Sequence, residues 1–279
     1  MAERTKIQWC DDTCNGQMGC DGCELWNEDL GIRRCYAGKM TEGMFRGLKG
    51  WPQKFTEPVL FPERIDKACK WKDLTGTRRS DKPWLDGLPR VIFLNDMGDT
   101  FAESLPVDWM ASKLGMMAES PHVWIVLTKR PLRMLEFWDG REIPANFWLC
   151  TSLTNKASLP RLKAMRRIAQ EHPENPVLGL SVEPLWEDLE LKSGDLEGFS
   201  WAKIGGESGP QAKPCRTVWI RRVMRACRDA GTAVFVKQLG SKPIYKGEPL
   251  KLKDGHGGDW SEWPKKLRVR QMPVRLPVN

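Results

Sequence analysis

The sequence predicts an α/β chain: a partial or complete (β/α) barrel, preceded by a cysteine loop and followed by an irregular C-terminal extension. Three observations carry this. Short β-branched and aromatic runs recur at intervals of 24 to 32 residues: VIFLN from 91, VWIVLT from 123, FWLCTS from 147, VLGLSV from 177, WAKIGG from 201 and VFVKQ starting near 233. Helical patterns lie between them, such as LPVDWMASKLGMMAES, LPRLKAMRRIAQEH and TVWIRRVMRACRDAG, and strands alternating with helices at this interval are βα units. The runs show little polar alternation, which suits strands buried on both faces of a parallel sheet.

Periodicity does not separate a doubly wound open sheet from a barrel. The placement of polar residues favours the barrel. Asn95, Asp96 and Asp99 follow the first run; Thr128, Lys129 and Arg130 the second; Ser152 and Thr154 the third; Glu183 the fourth; Glu207 and Ser208 the fifth; Lys237 and Gln238 the sixth. A barrel gathers such strand ends at one mouth, whereas an open sheet concentrates its site at one switch point.

Ahead of the repeat, five of the nine cysteines, Cys10, Cys14, Cys20, Cys23 and Cys35, fall early in the chain. The barrel with its cysteine loop (10–40) is expected over 1–240, and 241–279 is read as an extension packed on it. Residues 36–90 are expected to hold a helix after the cysteine loop and then a Pro- and Trp-rich stretch. Cys69, Cys150 and Cys227 lie in apolar contexts and read as core.

Composition bounds the function. There is no signal-like or membrane-spanning apolar run, so the expected location is the cytoplasm, where nine cysteines serve metals, catalysis or packing better than disulfides. The net charge of +8 suits a polyanionic partner. No nucleophile, histidine and acid pattern suggests a hydrolase, and His122, His172 and His256 lack ligand spacing.

Several thiolates in one loop are soft ligands for zinc or an iron–sulfur cluster. Zinc would recruit Cys10 or Cys14 as a fourth ligand beside Cys20, Cys23 and Cys35. Three cysteines on a [4Fe-4S] cluster would leave one iron open, which is what S-adenosylmethionine needs in order to chelate it and yield a 5′-deoxyadenosyl radical. Spacing alone leaves the two metals balanced.

The blocks KIQWCDDTCN, CYAGKM, VIFLNDMGDTF, VWIVLTKRPLRM, FWLCTSLTN, LGLSVEPL, WAKIGGESGP and VFVKQLG, in that order, resemble a phage-associated family counted as a divergent branch of the radical S-adenosylmethionine enzymes. The resemblance implies a radical SAM barrel, a [4Fe-4S] cluster on Cys20, Cys23 and Cys35, and S-adenosylmethionine as cofactor. The spacing here is C-x2-C-x11-C instead of the commoner C-x3-C-x2-C, so the residues between Cys23 and Cys35 must fold out as an excursion. Cys10 and Cys14 are then neighbours of the cluster.

Cofactor contacts are expected from Asn95, Asp96, Ser152, Glu183, Gly205, Gly206, Glu207 and Ser208, and substrate contacts from Lys129, Arg130 and Lys237. Capping or turn formation is the competing use of Asp99 and the glycines, and ion pairing that of the cations. Relatives in phages that decorate their thymine imply isomerisation of a glycyl-modified thymidine in DNA, from nitrogen-linked to carbon-linked, with a flavodoxin or ferredoxin as reductant and the host cytoplasm as location. Splitting of a pyrimidine lesion is an alternative, as is a zinc-stabilised nucleic-acid-binding protein without catalysis. A base taken from a duplex must be flipped out, and Trp148 and Trp186 are candidates to stack on it.

Overall fold

A computed structural model describes residues 5–173 and 177–273 of the chain. Seven strands are hydrogen-bonded in the order β1 (Asp12–Cys14), β6 (Val91–Leu94), β7 (Val123–Thr128), β8 (Phe147–Ser152), β9 (Val177–Val182), β10 (Trp201–Gly205) and β12 (Ala233–Gln238). The pairs β1–β6, β6–β7, β9–β10 and β10–β12 are parallel. Each strand lies beside its predecessor with no reversal of order, which is the winding of a partial barrel and not of a doubly wound sheet.

The chain divides into two compact units, residues 1–79 with 86–148 and residues 80–85 with 149–279, so the division falls within β8. In the first unit, β1 is the strand that periodicity does not reveal. Around it lie the short pairs β2 (Gln17–Met18) with β5 (Val59–Leu60) and β3 (Trp26–Asn27) with β4 (Ile32–Arg33). The helices are α1 (Tyr36–Glu42), α2 (Glu63–Ala68), α3 (Leu114–Glu119) and α4 (Pro131–Trp138). Proline at the first position of α4 fits a helix start, where its missing N–H is no loss. A small core of Met18, Cys20, Trp26, Ala37, Phe55 and Met97 lies under the cysteine loop, with Cys35, Met40, Trp51 and Phe61 against it.

In the second unit, α5 (Arg161–Glu171) precedes β9, and α6 (Thr217–Asp229) precedes β12. No α-helix joins β9 to β10, only a 3-10 turn at Ser193–Leu196, because Pro184, Gly194 and Gly198 interrupt that connection. The extension after residue 240 is more ordered than expected: β13 (Pro243–Tyr245) and β14 (Glu248–Pro249) form a hairpin that extends β11 (Cys215–Arg216). Farther on, Val236 N–H donates to Val269 O and Gln271 N–H to Val234 O, at 2.8 Å each, which covers the free edge of β12.

Cys150 and Cys227 are buried as expected, but Cys69 is only half-buried, because it is the capping residue after α2. Trp148 is fully buried. That overturns it as a base-stacking residue, since a strand covered on both faces exposes neither set of side chains. Among the described residues no helix is long and apolar enough to cross a membrane.

Candidate functional site

In the first unit the excursion between Cys23 and Cys35 is a hairpin. Cys23 N–H donates to Trp26 O at 2.8 Å, β3 pairs with β4, and the N–H groups of Arg34 and Cys35 both return to Leu25 O, at 2.7 and 2.9 Å. The third cysteine is thus bonded back to the second residue after Cys23, although eleven residues separate the two cysteines in sequence. Trp26, 1 % exposed, locks the hairpin down. Its ring occupies the space over Gly38 in α1, where a Cβ would come within 2.4 Å of it, and it meets Phe55 edge to face at 5.1 Å.

Donors surround the three sulfurs. Arg130 Nη1 lies 3.5 Å from Cys20 Sγ, Leu25 N–H donates to Cys23 Sγ at 3.4 Å, and the amides of Gly22 and of Gly38 and Ala37 face the sulfurs of Cys20 and Cys35. Cys23 is close enough to Cys20 and to Cys35 to act on both electrostatically. Burial pushes the Cys20 thiol up to about 12 and the Cys35 thiol to about 11, as desolvation does to any thiol not ligated to a metal.

Cys14 lies in other company: its sulfur is 3.5 Å from Arg64 O and interacts with Cys69. Among the described residues no three His, Cys, Asp or Glu side chains converge on a point that could hold a single metal ion. A cluster makes a different demand, since each thiolate binds its own iron and N–H groups aimed at the sulfurs tune it. Three neighbouring thiols ringed by such donors fit that group.

The residues after β6 and β7 hold this loop. Arg130 also bonds Asp99 Oδ2 at 3.1 Å and Gly22 O at 2.8 Å, while Lys129 pairs with Glu24 Oε1 at 2.7 Å. Asp99 is 5 % exposed and accepts from Thr128 Oγ1, Lys129 N–H and Phe101 N–H as well. The competing use expected of these cations, ion pairing, is thus met by Glu24 for Lys129 and by Asp99 for Arg130.

Asn95 is buried with φ 64°, a left-handed conformation that asparagine tolerates. Its amide is used internally, accepting from Gln17 N–H at 2.9 Å and donating to Thr100 Oγ1 at 2.8 Å. Asp96 accepts from Asn15 Nδ2 at 2.8 Å, and Tyr36, next to Cys35, donates to the Asp96 carbonyl. Desolvation raises the Asp96 carboxyl above its ordinary value against the hydrogen bonds it accepts. Glu24 and Tyr36 were not singled out in the sequence; their closeness to the cysteines was the available signal.

In the second unit, Glu183 Oε1 and Lys237 Nζ pair at 2.6 Å. Gly205 and Gly206 do not serve positive φ here. A Cβ at Gly205 would come within 3.2 Å of the Glu183 carboxyl carbon, and one at Gly206 within 2.3 Å of Leu239 O, so both let protein groups approach the end of β10. Glu207 Oε2 accepts from Trp186 Nε1 at 3.0 Å and from Lys213 N–H at 2.9 Å. Half-buried Trp186 carries the Lys213 ammonium 4.0 Å from its ring centre. Ser208 stands exposed, and buried Ser152 offers its carbonyl to Arg161 Nη1 at 2.8 Å.

Residues 4–264 match the family described as "Protein of unknown function (DUF5131)", and the chain belongs to that family. No curated protein and no solved structure gives a significant match.

Proposed function

We propose that the chain is a radical S-adenosylmethionine enzyme in which Cys20, Cys23 and Cys35 hold a [4Fe-4S] cluster and S-adenosylmethionine completes the fourth iron. When bound, that pair supplies a 5′-deoxyadenosyl radical for hydrogen abstraction. The observation that carries the reading is the return of Cys35 to Leu25 in the loop between β1 and β6, which sets three thiols apart from Cys14 and surrounds them with N–H donors. Arg130 supplies a fixed cation beside Cys20, favouring thiolate over thiol, and Trp26 closes the hairpin against water.

The substrate proposed is a glycyl-modified thymidine in DNA, isomerised from a nitrogen-linked to a carbon-linked side chain. The +8 charge supports a phosphate-bearing substrate. Within the second unit, Lys237 pairs with Glu183 and Trp186 presents a half-buried ring, the kinds of group that hold polar and base-like ligands. A ferredoxin or flavodoxin is the proposed reductant.

Anaerobic purification with iron, sulfide and visible-absorbance measurement tests the reading. It expects a broad band near about 400 nm and 5′-deoxyadenosine on reduction with S-adenosylmethionine. Cys20→Ala, Cys23→Ala and Cys35→Ala should each lose the iron, and Cys14→Ala should retain it. A colourless zinc protein that loses its metal in Cys14→Ala would overturn the proposal.

A further inference from the structure

With Trp148 buried, an unstacked base needs another wedge, and the segment after α1 offers one. Met44 is 78 % exposed and Leu48 50 %, a costly display for two large apolar side chains in one short loop. Exposed Arg46 and Lys49 alternate with them, exposed Lys39 precedes them on α1, and residues 43–51 contain no acid. Arg46 and Lys49 form no ion pair with any described residue.

The loop is built on a firm base. Phe45 and Trp51 stack at 4.2 Å between centroids with 13° between planes. Arg46 N–H bonds Gly43 O, Leu48 N–H bonds Phe45 O and Trp51 N–H bonds Leu48 O, while Arg64 Nη2 holds Gly50 O at 2.8 Å. Gly47 and Gly50 take φ of 74° and 82°, the left-handed turns that send the chain out and back.

We propose that residues 43–50 form a DNA wedge: Met44 and Leu48 enter the stack between base steps while Arg46, Lys49 and Lys39 hold the flanking phosphates. The inference rests on DNA as substrate. Isolated apolar tips, each beside an uncommitted cation, match the way minor-groove proteins unstack a step and grip its backbone; a protein partner would be better served by a broad continuous apolar face. The placement fits the chemistry as well. Cys35 precedes α1 and the loop follows it, and seven helical residues span about 10 Å, so a base freed at the wedge starts close to the candidate cluster.

The test uses full-length protein and a short duplex carrying 2-aminopurine, whose fluorescence rises on unstacking, with anisotropy measured across a salt series. Wild type should bind and brighten the probe. Met44→Ser with Leu48→Ser should keep most of the affinity and lose the brightening. Arg46→Glu with Lys49→Glu should weaken binding about tenfold or more at moderate salt and reduce the salt slope by about two, roughly one per cation. Unchanged thermal melting of both variants establishes that they fold.

If both variants bind and unstack like wild type, the wedge is overturned while DNA binding stands. If wild type binds neither duplex nor single strand, the DNA substrate falls with it. If DNA signals are unchanged but the variants lose reduction by flavodoxin and keep reduction by dithionite, the loop belongs to the electron donor and the proposal is overturned.

Discussion

One guanidinium nitrogen of Arg130 lies 3.5 Å from the Cys20 sulfur and 3.1 Å from the Asp99 carboxylate, so a single half-buried cation joins the cysteine loop to the ends of β6 and β7. Replacing it leaves Asp99 without its charge partner in a dry setting. Arg130→Gln should cost roughly 3 kcal/mol, the usual effect of breaking a buried pair, read as a lower urea midpoint with unchanged slope. Asp99→Asn should cost a similar amount, and the double variant less than the sum of the two, because both remove one interaction.

Gly38 has no room for a methyl group, since a Cβ there would lie 2.4 Å from the Trp26 ring. Gly38→Ala should therefore displace the indole and cost about 1–3 kcal/mol, as overpacking does. Trp26→Ala should cost about 3–5 kcal/mol by cavity formation. Both variants should hold less iron per chain after reconstitution than wild type; full iron retention in Trp26→Ala would show that the hairpin positions Cys35 without it.

His122 is fully buried, and desolvation, then the neighbouring Arg90 charge, hold its pKa below the ordinary value. The unfolded chain takes up this proton first as pH falls. Stability present above the ordinary histidine value should decline as pH drops below it, toward the depressed folded value. Melting temperature followed from pH 7.5 to 5 should show a fall that His122→Phe flattens; parallel curves for the two proteins would assign the fall to other groups.

Lys203 is fully buried, and its ammonium lies 3.4 Å from Cys150 Sγ. Gly179 makes this possible: a Cβ there would lie 2.6 Å from that sulfur, so Cys150 and Lys203 meet across β9. Gly179→Ala should cost about 1–3 kcal/mol. Lys203→Met, similar in volume and free of a buried charge, should leave stability within about 1 kcal/mol or raise it, whereas Lys203→Ala should lose about 2–3 kcal/mol to the cavity. Chemical denaturation of the three variants distinguishes these outcomes.

The long parallel strands were legible because burial on both faces writes them as unbroken apolar runs. Val123–Thr128, Phe147–Ser152 and Val177–Val182 fall where the runs place them. β1 was not, because Asp12–Cys14 is short and carries a buried acid that pairs with Arg90, 78 positions away. The excursion before Cys35 followed from spacing, but its closure depended on Trp26 meeting Gly38, a contact between residues with no shared pattern. Polar residues do stand at the strand ends, but the partners of Arg130 and Lys129, Asp99 and Glu24, were not legible because they are set by how the cysteine loop folds. The wedge was hidden because exposure of Met44 and Leu48 is a property of the surface and not of composition.

Arg270 stands in the second unit among aromatic rings, its guanidinium carbon 4.4 Å from the Trp84 ring centre, 4.7 Å from Trp260, and 5.6 Å from both Phe235 and Trp263. Its neighbours Val269 and Gln271 are those bonded along β12. On the ribosome, β12 emerges before the residues that cover it, so its edge is a ready template for another chain until this short segment arrives. Until the segment around Arg270 has been made, that strand is able to pair with its own copies, and arrival of this cover therefore decides whether the sheet ends or goes on recruiting.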